Sequence, residues 1–402
     1  MRRALAEILY LLKKREFSKN KIKFLVFTGT AGKTLTRNAV SHALSRLGFK
    51  VESMPYGYTN EIGIILSSMG ISRFSFLKPF CWHQYLKAKI DKEKFVCVEI
   101  GADFRKDVKW FLSKFKPHSV FVTAISEEFW AREIKEILLE KQILIKNIQP
   151  GGWAFCNIDN PLLKSYFSHF FNLNFFEKIS LKDKKAEIYL NKWSQNAYNL
   201  PVTKWKDNKE YLSLIVHGKE VEIFFNQPLF EPQISALLAA LGFIDCLFNK
   251  QLDSEKLKKI FEGYSFTENR LQIQWARNGA VIIDDSYKSI PFCVSYCLRL
   301  LKKIKANKKI IVFTELRPQP KNREKFYTLL GEKMNFIDEI YFLGSQCYFN
   351  LLRKKNSKII KIDEENLEKI SKDILSHSSV NDIIFLKGTY RSSLQKFKEF
   401  LL

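Results

Sequence analysis

The stretch "FTGTAGKTLTRNAV" (residues 27–40) carries the residue types that hold phosphate. Backbone N–H groups of Gly29, Thr30, Ala31 and Gly32 can face an anion ahead of a helix N-terminus. Lys33 supplies a mobile positive charge for β and γ phosphates, and Thr34 a hydroxyl for Mg2+. The commoner nucleotide-binding loop has a glycine six residues before its lysine. Here that position is Phe27, so the loop is either degraded or of a shorter kind. Carboxylates recur just past the apolar runs that read as strands, where open α/β sheets gather their ligands. Glu99 closes "FVCVEI", Glu127 and Glu128 follow "HSVFVTAI", Asn157 and Asp159 end "GWAFCNID", and Asp284 and Asp285 close "GAVIIDD". Each alone can be a solvated strand end; together with a phosphate loop they form a set of oxygen ligands suited to Mg2+.

The elements that must position these residues alternate in type. "IKFLVF" reads as a strand, "TGTAGKT" as a turn, and "TLTRNAVSHALSRLG" as a helix ending at a glycine. Further short apolar runs, "KKIIVF", "DEIYFL", "SKIIKI" and "NDIIFL" among them, read as strands covered on both faces. Residues 180–227 instead alternate, as in "SLIVHGKEVEIFF", which predicts an antiparallel hairpin region. "ISALLAALGFIDCLF" is too short to span a membrane and contains Asp245, so it predicts a buried helix. The fold class expected is α/β, a phosphate-loop parallel-sheet ATPase domain followed by a Rossmann-like α/β domain. The expected boundaries are an N-terminal helix over 1–20, a central ATP-binding domain over 21–265 and a C-terminal domain over 266–402, the last break falling after the polar stretch "EGYSFTENR".

Composition narrows the function classes. The chain has 402 residues, 46% of them hydrophobic, enough for two or three globular domains. Its net charge of +24 would suit nucleic acid, but the lysines are spread along the chain and no nucleic-acid module is present. A phosphate-loop ATPase acting on nucleic acid therefore fits the charge and no motif. Seven cysteines, at 81, 97, 156, 246, 293, 297 and 347, show no CxxC pair, and the histidines do not cluster near them in sequence. No zinc signature results. The unpatterned thiols fit a reducing cytoplasm. "MRRALAEILYLLKKREF" reads as an amphipathic helix and not a signal peptide. No membrane or nucleic-acid partner is expected.

These segments, in order, resemble the Mur ligase family, the ATP-dependent amide-forming ligases of peptidoglycan precursor synthesis. The compact T-G-x-x-G-K-T loop is matched by Thr28 to Thr34. "YTNEIGIILSSMG" is similar to the family's N-N-E-I-G-x-P segment through Asn60, Glu61 and Gly63. The resemblance implies that Glu99 takes the place of the Mg2+-binding glutamate, and Lys141, in "EKQILIKNIQPGG", that of a carbamylated lysine serving as an anionic metal ligand. Apart from it, Lys141 is one more lysine in a lysine-rich chain. It likewise implies that Asn157 and Asp159 lie on the adenine side, that Arg270 in "NRLQ" binds phosphate, and that Asp285 in "VIIDDSYKSIP" holds the ATP ribose or Mg2+. "LKGTYRSS" is similar to a late family stretch, with Lys387 and Arg391, like Asn60, as substrate-side positions. The implied catalytic set is Lys33, Lys141 and Arg270, with Thr34, Glu99 and Lys141 on the metal, ATP and Mg2+ as cofactors, and a small acyl and an amine substrate.

Departures from the family pattern bear on the substrate. About 20 residues precede the loop strand, where the family has a UDP-sugar-binding domain of typical small-domain size. That handle is expected to be lacking or supplied by a partner chain. The metal histidine of the family's A-H-L segment falls in "EEFW", near Phe129, where Glu127 or Glu128 could stand in. The H-N-x-x-N-A helix start reads "EPQISA", and "YNANP" has become "YKSIP". A cytoplasmic ligase with an altered acyl substrate is the expectation; the alternative is a catalytically impaired ATP-binding paralogue working as a subunit.

Overall fold

The structure, a computed structural model, describes residues 2–54, 60–71, 74–75, 78–101, 107–126, 134–317, 319–320, 322–389 and 392–402. Glu127, Glu128, Phe129 and Arg391 lie outside the described residues. Among the described residues, β1 (Lys23–Thr28), β2 (Val51–Ser53), β3 (Phe95–Glu99), β4 (Pro117–Val122), β5 (Ala154–Asn157), β6 (Phe176–Ser180), β7 (Ile188–Trp193), β8 (Glu210–Val216) and β9 (Lys219–Phe225) form one sheet. Its order is β2-β3-β1-β4-β5-β6-β7-β8-β9. Pairing is parallel from β2 to β7. It becomes antiparallel across β7–β8 and β8–β9, where the sequence alternates.

The apolar runs are buried on both faces, as their lack of alternation requires. In β1, Phe24 and Val26 pack with Ala6, Leu9 and Tyr10 of the N-terminal helix Arg2–Lys19. Leu25 and Phe27 face the other way, into the helices Lys33–Arg46 and Glu231–Leu247. Phe27 is fully buried and stacks on Phe121 with ring centroids 4.6 Å apart. A phenylalanine buried in this way contributes roughly 1.5–3 kcal/mol, so the residue six before Lys33 belongs to the strand and not to the loop. The helix Glu231–Leu247 is the predicted buried one. Pro232 occupies its first turn, and the Gln233 side chain accepts from the Phe230 N–H at 2.9 Å.

The second sheet contains β10 (Gln272–Trp275), β11 (Val281–Asp285), β12 (Lys309–Thr314), β13 (Glu339–Leu343), β14 (Ile359–Ile362) and β15 (Ile383–Lys387). Its order is β10-β11-β15-β12-β13-β14, parallel except for the edge strand β10. Helices Pro291–Lys303 and Arg323–Lys333 cover one face, and Leu367–His377 and Leu394–Leu401 the other. Phe266 packs in the core of the first sheet and Leu271 in that of the second. No helix among the described residues is long and apolar enough to cross a membrane.

Candidate nucleotide-binding site

The chain reverses between β1 and the helix starting at Lys33, and two glycines make the turn. Gly29 has φ 138° and Gly32 φ 86°, both in the region that favours glycine. A Cβ on Gly29 would sit 2.4 Å from Thr123 Oγ1 and 2.8 Å from the Ala124 carbonyl. That closeness exists because the loop is tied to the end of β4. The Thr30 N–H donates to the Ala124 carbonyl at 2.6 Å, and Thr123 Oγ1 to the Ala31 carbonyl at 2.5 Å. The Lys33 ammonium curls back over the loop and donates to the Gly29 carbonyl at 2.6 Å.

Glu99 ends β3 beside this loop and is buried. Its carboxylate pairs with the Arg37 guanidinium at 3.0 Å, and both side chains are 4% exposed. Burial alone would raise the carboxyl pKa; Arg37, then Lys33 and Arg270, outweigh it and hold Glu99 below the usual carboxylate range. Arg37 also donates to the Met54 carbonyl at 3.0 Å, which fixes its orientation. This buried pair is absent from the sequence expectations. Its signal was an arginine one helical turn past Lys33.

The second domain reaches the loop at two points. Arg270 donates to Thr34 Oγ1 at 2.9 Å, and its guanidinium lies 3.8 Å from the centroid of the Tyr287 ring. Its neighbours Asn269 and Leu271 have φ 59° and 57°, a conformation costly for leucine. Lys288 donates to the Thr30 carbonyl at 3.2 Å. Lys288 is the lysine of "YKSIP", so a sequence departure proves to be a third cation at the loop, after Lys33 and Arg270. Asp285 is held by the buried Lys387, whose ammonium pairs with its carboxylate and donates to the Lys288 carbonyl at 2.8 Å. Burial would lower the Lys387 pKa, but Asp285 outweighs it and the value is raised.

Between the domains lies a cavity of about 710 Å³. Thr30 to Thr34, Glu99, Asn157, Asp159, Arg270 and Asp285 all face it. Phe155, Ile179, Leu181 and Ala239 give it an apolar stretch beside Asn157. Asp159 accepts from Ser180 Oγ at 2.5 Å and from the Leu181 N–H at 2.6 Å, so it shapes that wall. Glu231, the first residue of "EPQISA", accepts from Tyr198 at 2.7 Å and from Tyr296 at 2.5 Å. These tyrosines come from segments that only folding brings together, so no local pattern marks the cluster. Gly29, Asn60, Lys141 and Lys387 are not on the cavity wall. Asn60 caps the helix Glu61–Ser67, accepting from the Gly63 N–H at 3.2 Å. Lys141, on the helix Ile134–Lys146, is fully buried and donates at 3.1 Å to the carbonyl of Gly101, which does face the cavity.

Fold and site define a class: a phosphate-loop protein whose cavity is walled by two parallel-sheet domains. Residues 27–226 match the Mur ligase middle domain. It is 22% identical over 399 residues to the UDP-N-acetylmuramoyl-tripeptide–D-alanyl-D-alanine ligase of Rickettsia prowazekii, covering 97% of this chain and 80% of that protein. To the protein of the same name from Buchnera aphidicola it is 20% identical over 383 residues, 94% of this chain and 75% of that one. Its fold is that of MurF ligase from Thermotoga maritima in complex with ADP, with a TM-score of 0.76 at 17% identity over 98% of this chain and 83% of that one.

Proposed function

We propose that this chain is an ATP-dependent ligase that joins a carboxylate to an amine through an acyl phosphate, in the manner of MurF. The observation that carries the reading is the convergence of Lys33, Arg270 and Lys288, from two domains, on one loop and one cavity. Phosphoryl transfer needs positioning and charge neutralisation more than covalent help. Three cations around the loop supply that charge, and the buried Glu99–Arg37 pair holds a carboxylate ionised beside Thr34. The Thr34 hydroxyl and the Glu99 carboxylate are hard oxygen donors on one wall, so they fit Mg2+. When bound there, Mg2+ would offset the charge of the ATP phosphates. Lys141, buried behind Gly101, is placed as a support of that wall; the resemblance adds carbamylation as its proposed state.

The chemistry proposed is balanced as follows. A substrate carboxylate oxygen attacks the γ-phosphorus, the bond to the β-phosphate oxygen breaks, and ADP leaves. An amine then attacks the acyl carbon, phosphate departs with the carboxylate oxygen, and the amine gives up a proton. The relatives' names make UDP-N-acetylmuramoyl-tripeptide and D-alanyl-D-alanine the first substrates to try. ADP release in their presence is expected to require both, and Lys33→Ala to lower the rate at least 100-fold, a loss in the range seen when a charge-stabilising group is removed. ADP release indifferent to the acyl substrate would overturn the reading.

A further inference from the structure

The other end of the helix Glu231–Leu247 holds a cluster the nucleotide site does not use. The helix starts on the cavity wall and, at 17 residues, rises about 25 Å away from it. There Cys246 meets Glu177 of β6 and His217 of the β8–β9 turn. Cys246 Sγ is 3.6 Å from Glu177 Oε1 and 3.7 Å from His217 Nε2, and His217 Nε2 is 3.1 Å from Glu177 Oε2. A tetrahedral zinc ion with ordinary bond lengths sets its ligands about 3.6 Å apart for sulfur to nitrogen or oxygen, and about 3.3 Å for nitrogen to oxygen. The sulfur–nitrogen edge and one edge to each Glu177 oxygen stand close to those lengths, and one donor atom from each residue lies within 4.8 Å of the other two, so a small turn of the Glu177 carboxylate closes the set.

The surroundings complete the pattern. His217 Nδ1 is 2.8 Å from Asp245 Oδ2, the carboxylate–histidine arrangement that fixes the ring of a metal ligand. Asp245 is anchored in turn by Lys219 at 2.6 Å, which also donates to the carbonyls of Lys250 and Leu252. Glu177 Oε1 already carries a cation, the Lys250 ammonium at 2.8 Å. The Lys250 side chain is 43% exposed and can swing into solvent. A thiol, an imidazole and one carboxylate form a donor set of zinc type and not of magnesium type.

We infer that Glu177, His217 and Cys246 form a Zn2+ site, with Asp245 orienting the histidine and Lys250 holding the metal position when zinc is absent. Binding releases the thiol proton of Cys246 and any proton on His217 Nε2 to solvent, and moves Lys250 off Glu177. No electron is transferred. The site clips β6, the β8–β9 turn and the end of the cavity helix together, and it stands independently of the ligase reading.

The test is metal titration of chelator-stripped full-length protein with Co2+ as the probe, in excess Mg2+, followed by displacement with Zn2+. The expected result is one equivalent of Co2+ with a thiolate-to-cobalt band in the near ultraviolet, lost on adding Zn2+. Cys246→Ser abolishes the band while the far-ultraviolet circular dichroism is kept. Lys250→Ala, a change at a half-exposed position, tightens Co2+ binding at least threefold by removing the competing ammonium. A folded wild-type protein with no thiolate band, a band that survives Cys246→Ser, or an affinity indifferent to Lys250→Ala overturns the site.

Discussion

At the residue scale, the account rests on a few side chains whose geometry leaves little freedom. Gly29→Ala would force a Cβ to within 2.4 Å of Thr123 Oγ1 at a φ that alanine avoids. It is expected to weaken ATP binding at least tenfold in calorimetric titration; unchanged affinity would show that the loop does not hold the nucleotide. Arg270→Lys keeps a charge but loses both the planar contact with Tyr287 and the fork that reaches Thr34. Its expected signature is a kcat reduced at least tenfold with smaller change in ATP affinity, measured by steady-state ADP release. That Lys33, Thr34 and Glu99 meet on one cavity was legible from their positions, because a loop after a strand and the end of a neighbouring strand lie at the same edge of a parallel sheet. Arg37 and the tyrosine pair on Glu231 were not, since their partners are distant in sequence. Cys246 and His217 show the same gap more sharply: 29 residues separate them, and the fold brings them to 3.7 Å.

At the element scale, unbroken apolar runs gave the parallel strands, and alternation gave the β8–β9 hairpin. The edge strands β2 and β10 escaped, being short and half-exposed with no periodic pattern to mark them. The N-terminal helix was visible as amphipathic, but its docking was not. Arg2 and Arg3 pair with the buried Glu61, at 2.9 and 2.7 Å, and Arg3 also with Asp107 at 2.7 Å. Burial would raise the Glu61 carboxyl; Arg3 and Arg2 outweigh it and the folded value lies below the ordinary one. A depressed carboxylate stabilises above its unfolded value and loses that contribution as pH falls through the folded one. The melting temperature should therefore fall less steeply below about pH 4 in Glu61→Gln than in the wild type. Parallel acid profiles would remove Glu61 as a clamp for this helix.

At the scale of the whole molecule, Ala197, Val202, Trp205 and Phe230 pack into the core of the second sheet, while Arg270 and Lys288 reach back to the loop. His118, in β4 of the first sheet and packed against Phe95 and Trp153, reports on the integrity of that domain. Burial, with a smaller effect of Lys23, pushes its pKa down to about 4. Its folded value lies below the unfolded one of roughly 6.5, so the neutral ring stabilises above that pH and the benefit disappears as pH falls toward 4. His118→Phe is expected to flatten the loss of stability across that window, read by denaturant titration at several pH values; an unchanged slope would contradict the assignment. The two-domain layout was legible because a polar stretch separates two strand series, whereas the size and chemistry of the cavity depend on how the sheets face each other and have no signature in one segment. Transfer of an oxygen atom tests the central claim most directly. With an acyl substrate carrying heavy oxygen in its carboxylate, ATP, Mg2+ and the amine, mass spectrometry of the released phosphate should find one heavy oxygen per phosphate, matched by one amide. Phosphate released without the label would contradict an acyl-phosphate ligase.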